Sequence, residues 1–255
     1  LVFKESRRSA DAIPQQLVVL SDSKAAAPVG TSLPTSVKDT PDPSPVSVPG
    51  LKRCAVTPSG AEACWELADP AMTAIPDGFL QANTNLTGTL RVGPAVQTIG
   101  ARAFFRTKLT GLDLSEATSL ARIGDGAFQY TGLAGTLVIL ATVASIGPSA
   151  FRNTELTALD LSKATSLVEI GPLAFQDTGL QGTLVIPSRV TKIGSQAFRY
   201  TRLTGLDLSG AKSLVVIGSL AFFASDLQGT LAISSRVTKI GSDAFCYTEL
   251  TGLDL

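Results

Sequence analysis

One hexapeptide decides most of what this chain can fold into. Ile-Gly-x-x-Ala-Phe recurs with its isoleucine at Ile99, Ile123, Ile146, Ile170, Ile193, Ile217 and Ile240. The gaps alternate between 24 and 23 residues, so the repeat is a 47-residue pair of unlike units. A chain that resembles itself at this interval builds stacked coils, because one unit is too small to bury its apolar face except against its neighbours.

Within each unit the apolar residues alternate over a short stretch. Leu112 and Leu114 flank Asp113, and the same arrangement returns at Leu159/Leu161, Leu206/Leu208 and Leu253/Leu255. The other unit carries Leu90/Val92, Leu137/Ile139, Leu184/Ile186 and Leu231/Ile233. Such alternation, bounded by Gly and by Ser or Pro, predicts a short strand with one buried face. A strand this brief is stable only when stacked, which predicts a parallel ladder rising about 4.8 Å per rung. The rest of the unit must return the chain to the next rung. Gly after each Ile permits a sharp turn or a close backbone approach, and Ala-Phe is predicted to fall in a short helical or 3₁₀ segment on the opposite side. Phe104, Phe128, Phe151, Phe175, Phe198, Phe222 and Phe245 then form one interior file. Three residues after each Phe stands Thr, or Ser225 in one coil, whose hydroxyl can satisfy a turn amide of the adjacent coil. The predicted fold class is an α/β solenoid with one short parallel strand per rung, helical or 3₁₀ returns and an extended N-terminal tail.

The stretch Ile186-Pro187-Ser188-Arg189-Val190-Thr191-Lys192-Ile193-Gly194, continuing to Phe198, resembles the unit of BspA-like (Treponema-type) leucine-rich repeat proteins. The resemblance covers about residues 65–255. It implies a right-handed leucine-rich-repeat coil and a non-catalytic protein-binding scaffold used for surface display, adhesion, or host and matrix contact. Thr stands where that family often has Cys, and every second unit replaces Ile-Pro by Leu-Ser with a two-residue rearrangement. Both departures keep the architecture and transfer no particular partner.

Composition narrows the function further. Lys plus Arg and Asp plus Glu are 21 each, so no basic field exists for nucleic acid or for a polybasic membrane contact. No apolar run approaches the roughly 20 residues that span a bilayer, so membrane association is expected only through a partner. Histidine is absent, which removes the commonest general base and metal ligand. No Gly-x-Ser-x-Gly elbow, phosphate loop or metal-ligand spacing occurs, so neither an enzyme nor a bound cofactor is expected.

Three regions follow. Residues 1–50 hold seven of the fourteen prolines among many Ser, Thr, Ala and Asp, too little apolar content to offset their ordering entropy alone. Gln16-Leu17-Val18-Val19-Leu20 is the patch in them that can pair or dock, and the tail is expected to clasp a neighbouring subunit or lie along the solenoid. The chain opens on Leu without a signal-peptide pattern, which reads as a processed or partial chain. Residues 51–75 resemble an N-terminal cap, with Cys54 and Cys64 bracketing a hairpin whose turn holds Pro58 and Gly60. Their spacing fits either a disulfide, worth about 2–3 kcal/mol, or two reduced thiols. Cys246 is expected to be unpaired. Residues 76–255 are the solenoid, which stops in mid-strand at Leu253-Asp254-Leu255, so either the chain continues or a partner covers that end.

Two surfaces are candidates for recognition. The outward strand positions Glu66, Asp113, Asp160 and Asp207 place a carboxylate on every second rung, with Val138 and Val185 between, at a spacing of about 9–10 Å. That is too wide for a shared metal or an acid–base pair. It leaves a solvated acidic stripe or a recognition face for a basic or hydroxyl-rich partner. Phe105, Tyr130, Tyr200, Phe223 and Tyr247 follow the repeat Phe residues; they are scattered exposed aromatics or, if they converge, an interface patch. Asn85-Leu86-Thr87 is a glycosylation sequon if the chain is secreted. The expected function is a protein-binding scaffold, secreted or on the cell surface. The alternative is a structural accessory subunit of a large, membrane-associated complex, in an organelle lumen such as that of a plastid, with the tail clasping a neighbour.

Overall fold

The computed structural model describes residues 49–54 and 64–254, all within the compact unit Ser47–Leu255. The N-terminal tail up to residue 48, the turn holding Pro58 and Gly60, and Leu255 lie outside the described residues.

Each repeat isoleucine ends a two-residue strand, from Ala74–Ile75 and Thr98–Ile99 to Val216–Ile217 and Lys239–Ile240. Eight of these form one parallel sheet in chain order, with each Ile in register on the next. The Gly that follows is required by proximity. A Cβ on Gly171 would lie 2.6 Å from Gly147 C and Pro148 N and 2.8 Å from Ile146 O, and Gly124 is as tightly held at 2.7–2.8 Å against Ile99, Gly100 and Ala101. Backbone atoms cannot swing aside, so only Gly lets successive coils stack this closely.

The return segments are not helical, which corrects the expectation of helical or 3₁₀ returns; no helix occurs among the described residues. From Gly171 to Thr178 the chain instead alternates its handedness. Leu173 and Asp177 take left-handed backbone angles (φ 62° and 55°), and Phe175 sits between them. The amides of Leu173, Phe175 and Asp177 donate to the next coil, to Ser195 O, Ala197 O and Arg199 O at 2.9, 2.8 and 3.0 Å. Those of Ala174 and Gln176 close local turns on Gly171 O and Leu173 O at 3.3 and 3.2 Å. A helix would direct every amide within its own coil. This turn ribbon sends alternate ones to the neighbour, so the stack gains a second ladder.

Beneath the ribbon lies the predicted Phe file. From Phe104 to Phe245 consecutive rings are stacked with centroids 5.2–5.6 Å apart and planes within 10° of parallel, and Phe79 opens the file edge-on at 6.2 Å. The Thr hydroxyls close the ribbon within their own coil: Thr131 and Thr178 donate to Phe128 O and Phe175 O, both at 2.8 Å, and Ser225 does the same to Phe222 O. They serve the ribbon's carbonyls, whereas the sequence suggested an amide of the adjacent coil. The same carbonyls accept the residue's own amide at longer range, 3.3 Å from both Thr131 and Ser225, and the short buried hydroxyl adds the closer bond.

The longer strands behave differently. Thr87–Val92 pairs with Lys108–Asp113, Ala134–Val138 with Glu155–Asp160, Gln181–Val185 with Arg202–Asp207, and Gln228–Ala232 with Glu249–Asp254. No ladder joins one pair to the next, so the expected continuous stack of rungs is broken once per 47 residues on this side. The second Leu of the strand falls one residue later after the repeat Ile in the Gly-Thr unit than in the Asp unit. Within a pair a bulge absorbs that offset, at Thr110 and Thr157 for example. Between pairs nothing does, and the ladder lapses. In the Asp units the fully buried residues are Leu109 and Leu114, while Leu112 is half-buried.

The N-terminal end is closed by Leu51–Arg53, antiparallel to Cys64–Leu67, which in turn pairs parallel with Thr87–Val92. Cys54 and Cys64 are bonded as a disulfide, Trp65 is buried, and its indole N–H donates to Thr87 O at 2.9 Å.

Candidate functional site

The strand face carries the acidic stripe. Asp113, Asp160 and Asp207 end their strands half-buried, and each carboxylate accepts the amide two residues on, from Ser115, Ser162 and Ser209 at 2.8–2.9 Å. These are Asx turns that release the chain from the strand. Hydrogen bonds from Ser162 and Ser209 hold Asp160 and Asp207 below the usual carboxylate range against a smaller opposing effect of burial. Burial is the largest single influence on Asp113 and pushes it up; the Ser115 hydrogen bonds and Arg91 together outweigh it and leave it lowered. Arg91, from the adjacent strand, reaches Asp113 at 3.1 Å. Arg91 holds the outward strand position of the rung before Asp113, 22 residues earlier in the other type of unit, so the repeat itself brings the two together although their pairing was not expected. Glu66 is half-buried in the cap, in register with Lys52 on one side and Arg91 on the other. Val185 is exposed at 52 % and Val138 is half-buried, so the valines leave shallow apolar steps between the acids.

The aromatic residues gather on the turn ribbon in two groups. Phe105 meets Tyr130 edge-on at 5.8 Å, with Arg106 over both rings and Arg102 over Phe105. Three coils further along, Tyr200, Phe223 and Tyr247 pack edge to face at 5.9 and 4.9 Å. Arg199 lies 4.4 Å from the Tyr200 ring centroid and 5.0 Å from that of Phe223, and donates to Tyr200 Oη and Gln196 Oε1. The arginines were not singled out from the sequence, although each stands within three residues of an aromatic and so shares its column. Left-handed geometry at Tyr130, Tyr200 and Tyr247 (φ 58–59°) turns these side chains outward.

The remaining features are local. Asn85 is exposed in a turn whose amide bonds to Asn83 Oδ1 at 3.0 Å. Cys246 is a free thiol pushed up by burial and by Asp243, whose carboxylate it faces at 3.2 Å. Among the described residues no group of acidic, Cys or His side chains could hold a metal, and no helix is long and apolar enough to cross a membrane.

Stacked parallel coils, a buried aromatic file and variable exposed columns define a parallel β-solenoid of repeat type with two candidate recognition faces. The chain belongs to the BspA-type leucine-rich repeat family, whose model matches residues 66–134 and 121–251 in six copies. None of the curated proteins matches it. Among solved structures it is similar to the pneumococcal vaccine antigen PcpA, at 17 % identity and a TM-score of 0.46, over 82 % of this chain and 69 % of that one. It is also similar to a leucine-rich cell surface protein of Faecalibacterium prausnitzii, at 20 % identity and a TM-score of 0.43, over 71 % of this chain and 42 % of the other. A leucine-rich repeat protein of Eubacterium ventriosum matches at 22 % identity and a TM-score of 0.38, over 66 % of this chain and 53 % of its own length.

Proposed function

We propose that this chain is a non-catalytic interaction scaffold of the BspA type, displayed at a cell surface or secreted, that recognises a protein partner through its strand face. The observation that carries this reading is the contrast between inside and outside of the same coils. The interior repeats Ile, Gly, Ala and Phe nearly without change, whereas the outward strand position changes from Arg91 to Asp113, Val138, Asp160, Val185 and Asp207. A rigid frame with a varied, regularly spaced exterior suits broad, shallow protein contact, in which charge placement sets specificity and encounter rate. Membership of the family supports surface display and adhesion.

Solid-phase binding to a panel of purified extracellular-matrix proteins tests it. Asp113→Lys, Asp160→Lys and Asp207→Lys together are expected to abolish whatever binding the unaltered protein shows, with the thermal midpoint followed in parallel. Unchanged binding by the triple variant would remove the strand face from the proposal, and no binding to any member of the panel would remove the adhesion reading.

A further inference from the structure

The turn ribbon carries a strip of unpartnered polar atoms that the acidic strand face does not explain. Among the described residues, the buried side-chain polar atoms without a hydrogen-bond partner are Arg152 Nε, Asn153 Oδ1, Gln176 Oε1 and Arg199 Nε. All four belong to three consecutive coils of the ribbon, at the two positions that follow the repeat Phe. Buried polar atoms are normally paired, so a concentration of unused donors and acceptors on one strip needs a cause. Among the described residues Arg152 Nε has no hydrogen-bond partner and the guanidinium joins no ion pair, and Gln176, only 5 % exposed, lies in the same column between Arg152 and Arg199. The Phe105/Tyr130 group flanks this polar stretch on one side and the Tyr200/Phe223/Tyr247 group on the other.

We propose that this strip binds a linear, carboxylate-bearing glycan of equatorially linked pyranose rings, lying along the solenoid axis with about one ring per coil. Three features select that class. The unused atoms are both donors and acceptors, and a sugar hydroxyl serves either role. Planar guanidinium and amide groups can bridge neighbouring hydroxyls, while the exposed parts of the Tyr130, Tyr200 and Tyr247 rings offer apolar surface to pyranose rings. The third feature is the period. Consecutive coils are 5.2–5.6 Å apart along the Phe file, close to the advance of one equatorially linked pyranose ring. An extended peptide advances about 3.3 Å per residue and falls out of step after one coil. The carboxylate follows from the free Arg152 charge, which a guanidinium–carboxylate pair satisfies in bidentate fashion. The strip is preorganised, since the amides of Asn153, Asp177 and Tyr200 are bonded to the next coil at 2.9–3.0 Å and fix the columns in place.

Calorimetric titration of the full chain with a hyaluronan octasaccharide, with cellohexaose as the neutral control and poly-L-glutamate as the acidic peptide control, tests the proposal. Binding of the octasaccharide alone is expected. Arg152→Ala should weaken it about tenfold, the loss of one charge-assisted pair. Arg152→Gln, which places there the residue that Gln129 and Gln176 already carry in this column, should weaken it similarly at an unchanged melting temperature. Absence of octasaccharide binding, equal binding of cellohexaose or polyglutamate, or indifference to both Arg152 variants would each overturn it.

Discussion

The two sides of the solenoid solve the same backbone problem in opposite ways. Among the described residues, fourteen other than Gly hold left-handed backbone angles, all on the ribbon side, among them Arg106, Tyr130, Leu173 and Leu220. On the strand side, the left-handed positions that open the Gly-Thr strands are Gly88, Gly135, Gly182 and Gly229, at φ 75–79°. A left-handed residue with a side chain costs about 1–2 kcal/mol and persists only where its surroundings over-determine it. On the ribbon they do, because from Arg102 to Ala224 each such residue donates its amide to the next coil and flanks a buried Phe. At Gly135, Gly182 and Gly229 no ladder joins the preceding strand pair, the residues are exposed, and a Cβ would meet nothing within 4 Å. The comparison teaches where stability resides: the ribbon and the two-residue strands hold the stack, and the longer strands are decorated upon it.

Breaking the interior should therefore cost far more than altering the strand face. Phe175→Ala, in the middle of the file, is expected to lose about 3–5 kcal/mol, because rings on both sides lose their stacking partner. Val185→Ala, half exposed on the strand face, should change stability by less than about 0.5 kcal/mol. Urea-unfolding midpoints of the two variants check this, and comparable losses would show the strand face to be structural after all.

The same contrast can be drawn with one substitution type. Gly171→Ala pushes a Cβ into backbone at 2.6 Å and is expected to cost about 3 kcal/mol or more. Gly182→Ala has open space, so its cost is backbone strain alone, about 1 kcal/mol. If both variants lost the same amount, close approach of the coils would not be what the Ile-Gly pair provides.

Much of this was legible beforehand, for a physical reason. The file of Phe and the stacking of Ile follow from periodicity, which acts through burial and is written in residue type. The ribbon's conformation was not legible, because inter-coil hydrogen bonds impose it whatever the side chain. Gly126, Asn153, Asp177 and Asp243 are nevertheless residues that tolerate left-handed angles, and their recurrence at two fixed offsets around Ala-Phe was the available signal. The pairwise breaks in the strand sheet were hidden for a different reason. They arise from a one-residue offset between unit types that leaves the apolar alternation intact. Of the candidate residues, Asp113, Asp160 and Asp207 fall at equivalent ends of their strands, as the 47-residue repeat predicts. The arginines over the aromatic rings depend on which side chains meet between coils, which the pattern along one unit does not encode.

A third test concerns the acids. Asp160 and Asp207 are held below the ordinary range in the folded state, so in that window the unfolded chain binds more protons. Their stabilisation is complete above the unfolded value and disappears as pH falls through the lowered one. Asp160→Asn with Asp207→Asn keeps an Asx acceptor at both sites and removes the titration. Its unfolding midpoint should fall less steeply than that of the unaltered protein as pH drops through the carboxylate range. Parallel acid limbs would mean that the turns after these strands contribute nothing that depends on charge.

The smallest expected effect bears most directly on the comparison between the two sides. Ser149 holds φ 56° on the ribbon, and its amide donates to Pro172 O at 2.8 Å. Ser149→Gly keeps that hydrogen bond and removes the steric cost of the left-handed angle, while adding the conformational freedom of Gly to the unfolded chain. The first effect is the larger where φ is positive, so a gain of about 0.5 kcal/mol is expected. A Gly placed within a strand would be destabilising instead. Thermal and urea midpoints of Ser149→Gly decide the matter: a gain means that the ribbon carries strain which its inter-coil hydrogen bonds outweigh. A loss would mean that the side chain contributes to the stack in its own right, and the division of labour drawn between ribbon and strand face would then rest on side chains as well as on backbone.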